Sequence, residues 1–416
     1  MKYIYSLLVS FTILLISSCG DKNGDDDPVT PEPAHTYLVY INGDNNLTSL
    51  RDNASANIKL MKEGLLKATK DFNLVVYKDS KDPKDPLPSL FQLKKTFDKS
   101  TQKAKIDTLY IKKYEKELNS SDPEIFKEVV NETFRMFDTE VKGIEIWGHG
   151  LSWVPSSNIS PKTRYVGIDD GRYFELWDFR KAMEGCPHVD YITFDACFSA
   201  TAEIANELDE VCDYIYGPIT EIMSDGYPYK TMITILAECQ SKADVRKTLE
   251  NCIDDFAKSK INDENGYTIA LLETAKADKL GKALGKLRNA NKAACERLEK
   301  NASDLEDNFL YYVFDNKGVN GHLIYDFQDY VDYLATSATE ETKSIVQEIR
   351  ENDIVIKYAH SDYFWYDTYP EFPSIDLSGC NGLGVTIPEL MQLNRSYGAK
   401  FLGYYGDTKW VKNVGY

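Results

Sequence analysis

A histidine between two glycines, Gly148-His149-Gly150, closes an apolar run at 143–147, and a cysteine, Cys197, closes a second apolar run at 191–196. These two residue types suit nucleophilic acyl transfer. A thiol attacks a carbonyl carbon as thiolate, a neighbouring imidazole takes up and later returns the proton, and water releases the acyl group. Gly150 has no side chain to crowd its backbone N–H, so it is a candidate donor to the developing oxyanion. Taken singly, each residue also has a structural explanation. A histidine after a strand is often part of the scaffold, and the cysteine of Asp-Ala-Cys is often a small core residue. What links them is their order: strand, Gly-His-Gly, helix, strand, Asp-Ala-Cys, helix.

The elements needed to position such a pair are legible around it. Apolar runs at 35–43 and 72–79 flank a segment of helical periodicity, which reads as a β-α-β unit. After a more irregular insert come a helix at 124–137, a strand at 143–147, a helix at 173–184, a strand at 191–197, a helix at 199–211 and a strand at 212–218. This alternation predicts an α/β fold, a mostly parallel sheet covered by helices on both faces, with functional residues at the carboxyl ends of its strands. From about residue 230 the pattern turns helical, and 381–388 reads as a strand returning to the sheet. The lysine- and aspartate-rich stretch at 77–89 reads as a solvated loop. The expected organisation is therefore 1–18 as a signal, 19–34 as a tether, 35–275 as a catalytic domain and 276–416 as a helix-rich C-terminal subdomain.

With 416 residues, 43% of them hydrophobic, the chain can bury a large core. A net charge of -18 argues against binding nucleic acid or an anionic membrane surface and would suit a cationic substrate; solubility alone also accounts for it. Lys2, the apolar stretch 7–16 and the small residues before Cys19 form an export signal, with Cys19 where a bacterial lipoprotein carries its lipid. An ordinary cleaved secretion signal is the alternative. Residues 20–35 are polar, acidic and proline-bearing, as a tether from an outer-membrane anchor would be, on either the periplasmic or the cell-surface side. The acidic run resembles a surface-export tag, interrupted by Gly20 and Lys22. Besides Cys19 there are seven cysteines at wide, irregular spacings, which is neither a disulfide framework nor a zinc motif.

The constellation resembles the clostripain-like cysteine peptidases, a family with a caspase-like fold. The resemblance rests on YLVYINGDNNL (37–47), IWGHG, DACFSATAEIANEL and DGYPY (225–229), with weaker similarity at 267–280, 322–334 and towards the C-terminus. It implies an endopeptidase with His149 and Cys197 as catalytic dyad and a preference for cleavage after arginine or lysine. Asp195 and Asp225 match acidic positions associated with the pocket for the basic side chain, where a carboxylate can grip a guanidinium. A helix cap at Asp195 and a turn residue at Asp225 are their structural alternatives. The chain departs from the family pattern at Phe198, Ser199 and Ala200 and again at Tyr227, all bordering the proposed pocket. Relatives made as zymogens cut themselves after a basic residue between the histidine and the cysteine, a place held here by Lys162 and Arg164. No cofactor is required for this chemistry. Some members depend on calcium, which Asp169 and Asp170 with nearby carbonyls would suit, although an acidic turn explains the same pair.

Asp44, Asn45 and Asn46 read as scaffold at the end of the first strand, satisfying loop backbone and starting the next helix. A catalytically silent lipoprotein that binds peptides or a surface partner is the competing reading. A metal or serine hydrolase ranks lower, since the chain has neither H-E-x-x-H nor G-x-S-x-G.

Overall fold

The computed structural model describes residues 32–49, 52–82, 85–153, 166–312, 322–337, 339–365, 374–391, 393, 403 and 405–416. From Pro33 onward the chain forms one compact unit. Its strands are β1 (His35–Gly43), β2 (Asn73–Ser80), β3 (Ser89–Asp98), β4 (Lys103–Lys113), β5 (Val141–Trp147), β6 (Gly167–Asp169), β7 (Arg172–Phe174), β8 (Val189–Asp195), β9 (Cys212–Gly217), β10 (Thr268–Glu273), β11 (Tyr325–Asp326), β12 (Val355–His360), β13 (Tyr363–Phe364), β14 (Ile375–Asp376) and β15 (Gly384–Val385). Nine of them form one sheet in the order β12-β10-β9-β8-β5-β1-β2-β3-β4. The five central strands, β9-β8-β5-β1-β2, run parallel, and antiparallel pairs extend the sheet at both edges.

The pleat divides the core in two. On β1, Leu38 and Tyr40 face the helices Pro123–Met136, Leu176–Glu184, Ala202–Glu207 and Ala277–Ala290, while Tyr37, Val39 and Ile41 face Asn53–Lys67, Tyr229–Leu236 and Lys242–Ser259. A strand apolar on both sides is what a doubly covered parallel sheet requires, and every residue of β1 is buried. Helix starts follow local chemistry. Asp122 accepts from the Glu124 N–H with Pro123 in the first turn, and Asp52 accepts from the Ser55 N–H.

The sequence reading missed the β3–β4 hairpin, whose residues alternate irregularly because much of β4 is exposed. It also missed β10 and β12 in the stretch read as helical. The C-terminal strand that joins the large sheet is β12, against β10; residues 384–385 pair instead with β11 in a two-stranded sheet. A single bridge from Gly384 to Thr201 ties that small sheet to the segment after Cys197. Among the described residues, no helix is long and apolar enough to cross a membrane.

Candidate active site

Strands β5 and β8 are parallel neighbours with Trp147 opposite Asp195, and the Gly148 N–H donates to the Asp195 carbonyl at 3.2 Å. His149 and Cys197 each lie two residues beyond that pair. Parallel neighbours sit about 4.8 Å apart, so the register brings positions 149 and 197 to the same carboxyl-end rim of the sheet. Gly148 makes the exit with φ +154, and a Cβ there would press on the Asn42 carbonyl at 2.9 Å. After Cys197 the chain reverses through Phe198 at φ +58, a left-handed conformation that is strained for a bulky residue. The reversal is held by the Phe198 N–H on the Thr220 carbonyl (3.0 Å) and the Ser199 and Ala200 N–H groups on the Pro218 carbonyl (2.9 Å each). Gly150 is buried directly after His149.

His149 Nε2 lies 2.7 Å from Asn46 Oδ1. With the amide oxygen as acceptor, Nε2 carries the hydrogen and Nδ1 the lone pair. Burial pushes the His149 pKa down to about 4, so the ring is neutral at ordinary pH and able to accept a thiol proton. Asn46 therefore touches the imidazole, whereas the sequence reading gave the whole Asp-Asn-Asn run a scaffold role. Asn45 does fill that role: its Oδ1 accepts from the Leu47 N–H at 2.9 Å, and its amide donates to the carbonyls of Asn42 and Ile168, each at 3.0 Å.

Beneath the rim lies a buried acidic network. Tyr229 Oη is 2.6 Å from Glu145 Oε1 and 2.5 Å from Asp195 Oδ2, and Tyr37 Oη is 2.6 Å from Glu145 Oε2. One hydroxyl proton cannot serve two carboxylates, so one of the two acids must hold a proton. Burial raises the pKa of both; Asp195 adds to the rise at Glu145 by like-charge repulsion, and Asp225 does the same at Asp195. Asp195 is thus no helix cap: the helix after Cys197 starts at Ala202, capped by Thr201. Asp225 is brought alongside by the turn at Gly226, where φ is +69 and an added Cβ would overlap the Asp195 carboxylate. Asn57 braces this loop once its amide is oriented to accept from the Trp147 indole (3.0 Å) and donate to the Asp225 carbonyl (3.3 Å). The Asp225 carboxylate is largely exposed and pairs with Lys260 Nζ at 2.9 Å.

The sequence profile of the clostripain family matches residues 39–416. The chain belongs to the clostripain family. It is accordingly a cysteine-type peptidase, and the large, mostly parallel sheet is the family's caspase-like architecture. A secreted C11 cysteine protease from Bacteroides thetaiotaomicron, solved with an irreversible peptide inhibitor, is 24% identical, with a TM-score of 0.70 over 92% of this chain and 99% of that one. An inactive zymogen C11 protease from Parabacteroides distasonis is also 24% identical, with a TM-score of 0.69 and coverage of 93% and 99%. Another secreted C11 protease from B. thetaiotaomicron is 19% identical, with a TM-score of 0.68 and coverage of 92% and 100%. No curated protein matches the chain.

In this clostripain-family fold Asp169 and Asp170, the pair of the calcium reading, lie beside Asp44 and Glu117, whose like charges add to the rise that burial causes in the Asp169 pKa. Asp169 turns inward to accept from the Ser120 N–H, and Asp170 turns outward at 3.2 Å from Lys81 Nζ, so the adjacent carboxylates do not converge. Among the described residues no three acidic, histidine or cysteine side chains form a metal-binding group. Lys162, Arg164 and Cys19 lie outside the described residues. The seven described cysteines form no disulfide, and Cys186, Cys239, Cys252 and Cys380 have pKa values raised by burial, which suits inert core thiols. Sequence reasoning missed Glu145, Tyr229 and Lys260. A glutamate inside the apolar run 143–147 was the one signal in the sequence for the acidic network.

Proposed function

We propose that this clostripain-family peptidase is an endopeptidase that cleaves after arginine or lysine, with Cys197 as nucleophile and His149 as proton carrier. The observation that supports the proposal is the parallel register of β5 and β8, in which Trp147 pairs with Asp195 and His149 and Cys197 each follow two residues later. In the first step the Cys197 thiol gives its proton to His149 Nδ1, and its sulfur bonds to the scissile carbonyl carbon. The oxyanion takes a hydrogen bond from the Gly150 N–H. Collapse of the tetrahedral adduct breaks the C–N bond, His149 returns the proton to the leaving amine, and an acyl thioester remains. His149 then deprotonates water, the resulting hydroxide attacks the thioester carbonyl, and the thiol leaves with the proton. Asn46 holds the ring in the tautomer this sequence needs.

Asp225, exposed beside buried Asp195, is the natural partner for the basic P1 side chain, the residue on the acyl side of the scissile bond. Activation by self-cleavage at Lys162 or Arg164 and lipidation at Cys19, placing the peptidase on the outer membrane, belong to the same reading. The secreted relatives from B. thetaiotaomicron support export. The test is a fluorogenic peptide panel with Arg, Lys, Asp or Leu at P1, assayed with the mature chain and with Cys197→Ala. Thiol-dependent turnover after Arg and Lys, absent from the variant, is expected. Selective turnover after Leu or Asp would overturn the P1 assignment. Failure of every substrate, even after a tryptic nick near Arg164, would favour a peptide-binding lipoprotein.

A further inference from the structure

The acidic pocket contains a cation of its own. Lys260 follows the helix Lys242–Ser259, and its side chain is only 9% exposed. Its ammonium lies 2.9 Å from Asp225 Oδ2 and 2.9 Å from Asp263 Oδ2. Asp263 is fixed in turn: its N–H donates to the Lys260 carbonyl at 2.9 Å, and its Oδ1 accepts from the Asn265 N–H at 3.0 Å. Burial disfavours the ammonium, but the two carboxylates more than offset this and hold its pKa above the ordinary lysine value. The same charge reaches Asp195, where it favours the carboxylate against repulsion from Asp225. A substrate ammonium or guanidinium arriving at Asp225 thus meets a carboxylate already sharing an internal lysine.

We propose that Lys260 is a specificity-determining residue, a tethered cation that partly neutralises Asp225 and thereby weakens selection for basic P1 side chains. This rests on the reading of Asp195 and Asp225 as the P1 pocket. Removing the ammonium while keeping a buried side chain of similar length leaves Asp225 wholly available. Loosening the other anchor, Asp263, makes Lys260 lean on Asp225 alone. The two changes therefore act with opposite sign, which a general loss of packing would not produce.

The experiment compares Lys260→Met and Asp263→Asn with the unaltered mature peptidase in two readouts. One is the ratio of kcat/KM for P1-Arg over P1-Leu peptides. The other is the affinity of benzamidine, a small cationic probe, for the same pair of changes on a Cys197→Ala background, measured by calorimetry without turnover. Lys260→Met should raise both by about tenfold, the effect of a partly screened unit charge nearby, and the gain should shrink as salt rises. Asp263→Asn should lower both severalfold. Benzamidine affinity and Arg:Leu ratio within twofold of the parent for Lys260→Met would overturn the proposal. Should Lys260→Met show no cooperative melt, the sign of the Asp263→Asn effect decides. Cleavage after Arg that ignores Lys260→Met would leave the P1 reading standing and defeat this inference. Basic P1 selection acquired only in Lys260→Met would support this inference and the pocket while overturning cleavage after Arg or Lys by the unaltered peptidase.

Discussion

Replacing Asn46 by alanine removes the acceptor 2.7 Å from His149 Nε2 without disturbing the core, because Asn46 is exposed and its neighbour Asn45 supplies the loop's backbone hydrogen bonds. With a neutral ring, the lost bond contributes about 0.5–1.5 kcal/mol. Once the ring takes the thiol proton, the same bond becomes charge-assisted and contributes about 1.5–3 kcal/mol. The difference falls on the step that forms imidazolium, so kcat should drop by roughly tenfold or more while KM moves little. Free rotation of the ring would also admit the tautomer with hydrogen on Nδ1, which cannot accept from sulfur. Asn46→Asp keeps an acceptor at that place and adds negative charge, which favours imidazolium. Its acid limb in kcat/KM should therefore lie above that of the parent, whose His149 pKa burial holds near 4. The assay is steady-state hydrolysis of the best panel peptide from pH 4 to 9, with the pH dependence of Cys197 alkylation measured alongside. Asn46→Ala retaining kcat within threefold of the parent, or an Asn46→Asp acid limb that does not move upward, would refute the positioning role.

Other outcomes follow from buried groups outside the reacting pair. Burial raises Asp79 to a pKa of about 8, with Asp169, Glu117 and Asp44 adding repulsion. A carboxyl with a raised folded pKa stabilises fully below its unfolded value near 4 and loses that contribution as pH rises towards 8. Asp79→Asn should therefore raise Tm by several degrees at pH 9 and change it little at pH 4, and equal or lower stability at pH 9 would contradict this reasoning. Gly226→Ala forces a side chain into a left-handed turn against the Asp195 carboxylate. A loss of roughly 1–3 kcal/mol in urea unfolding is expected, and unchanged stability would mean that the turn has room for a methyl group after all. Since Asp169 and Asp170 do not converge, EGTA should leave kcat/KM within twofold of its value in added calcium, and a tenfold loss restored by calcium would show that the pair rearranges around the ion.

The placement of the proposed dyad was legible because His149 and Cys197 follow the ends of two apolar strands, and a parallel sheet turns equal offsets along the chain into neighbouring positions on one rim. Trp147 opposite Asp195 puts His149 and Cys197 at equal offsets beyond one register pair. Helix-covered strands with β-branched and aromatic residues announce themselves in the same way, whereas β4 does not, because its partly exposed residues lose the contrast between faces. The pocket's charge was illegible for a different reason. Asp195 and Asp225 are visible beside recognisable motifs, but their effective charge depends on Tyr229 and Glu145, whose side chains meet Asp195 only in the fold, and on Lys260, which arrives from another element with no local signature. Motif spacing can therefore identify the bond-breaking chemistry while leaving selectivity open. On the proposed reading, selectivity is a sum of opposing charges in one partly buried volume, and a single lysine 35 positions beyond Asp225, paired with it at 2.9 Å, would be enough to change it.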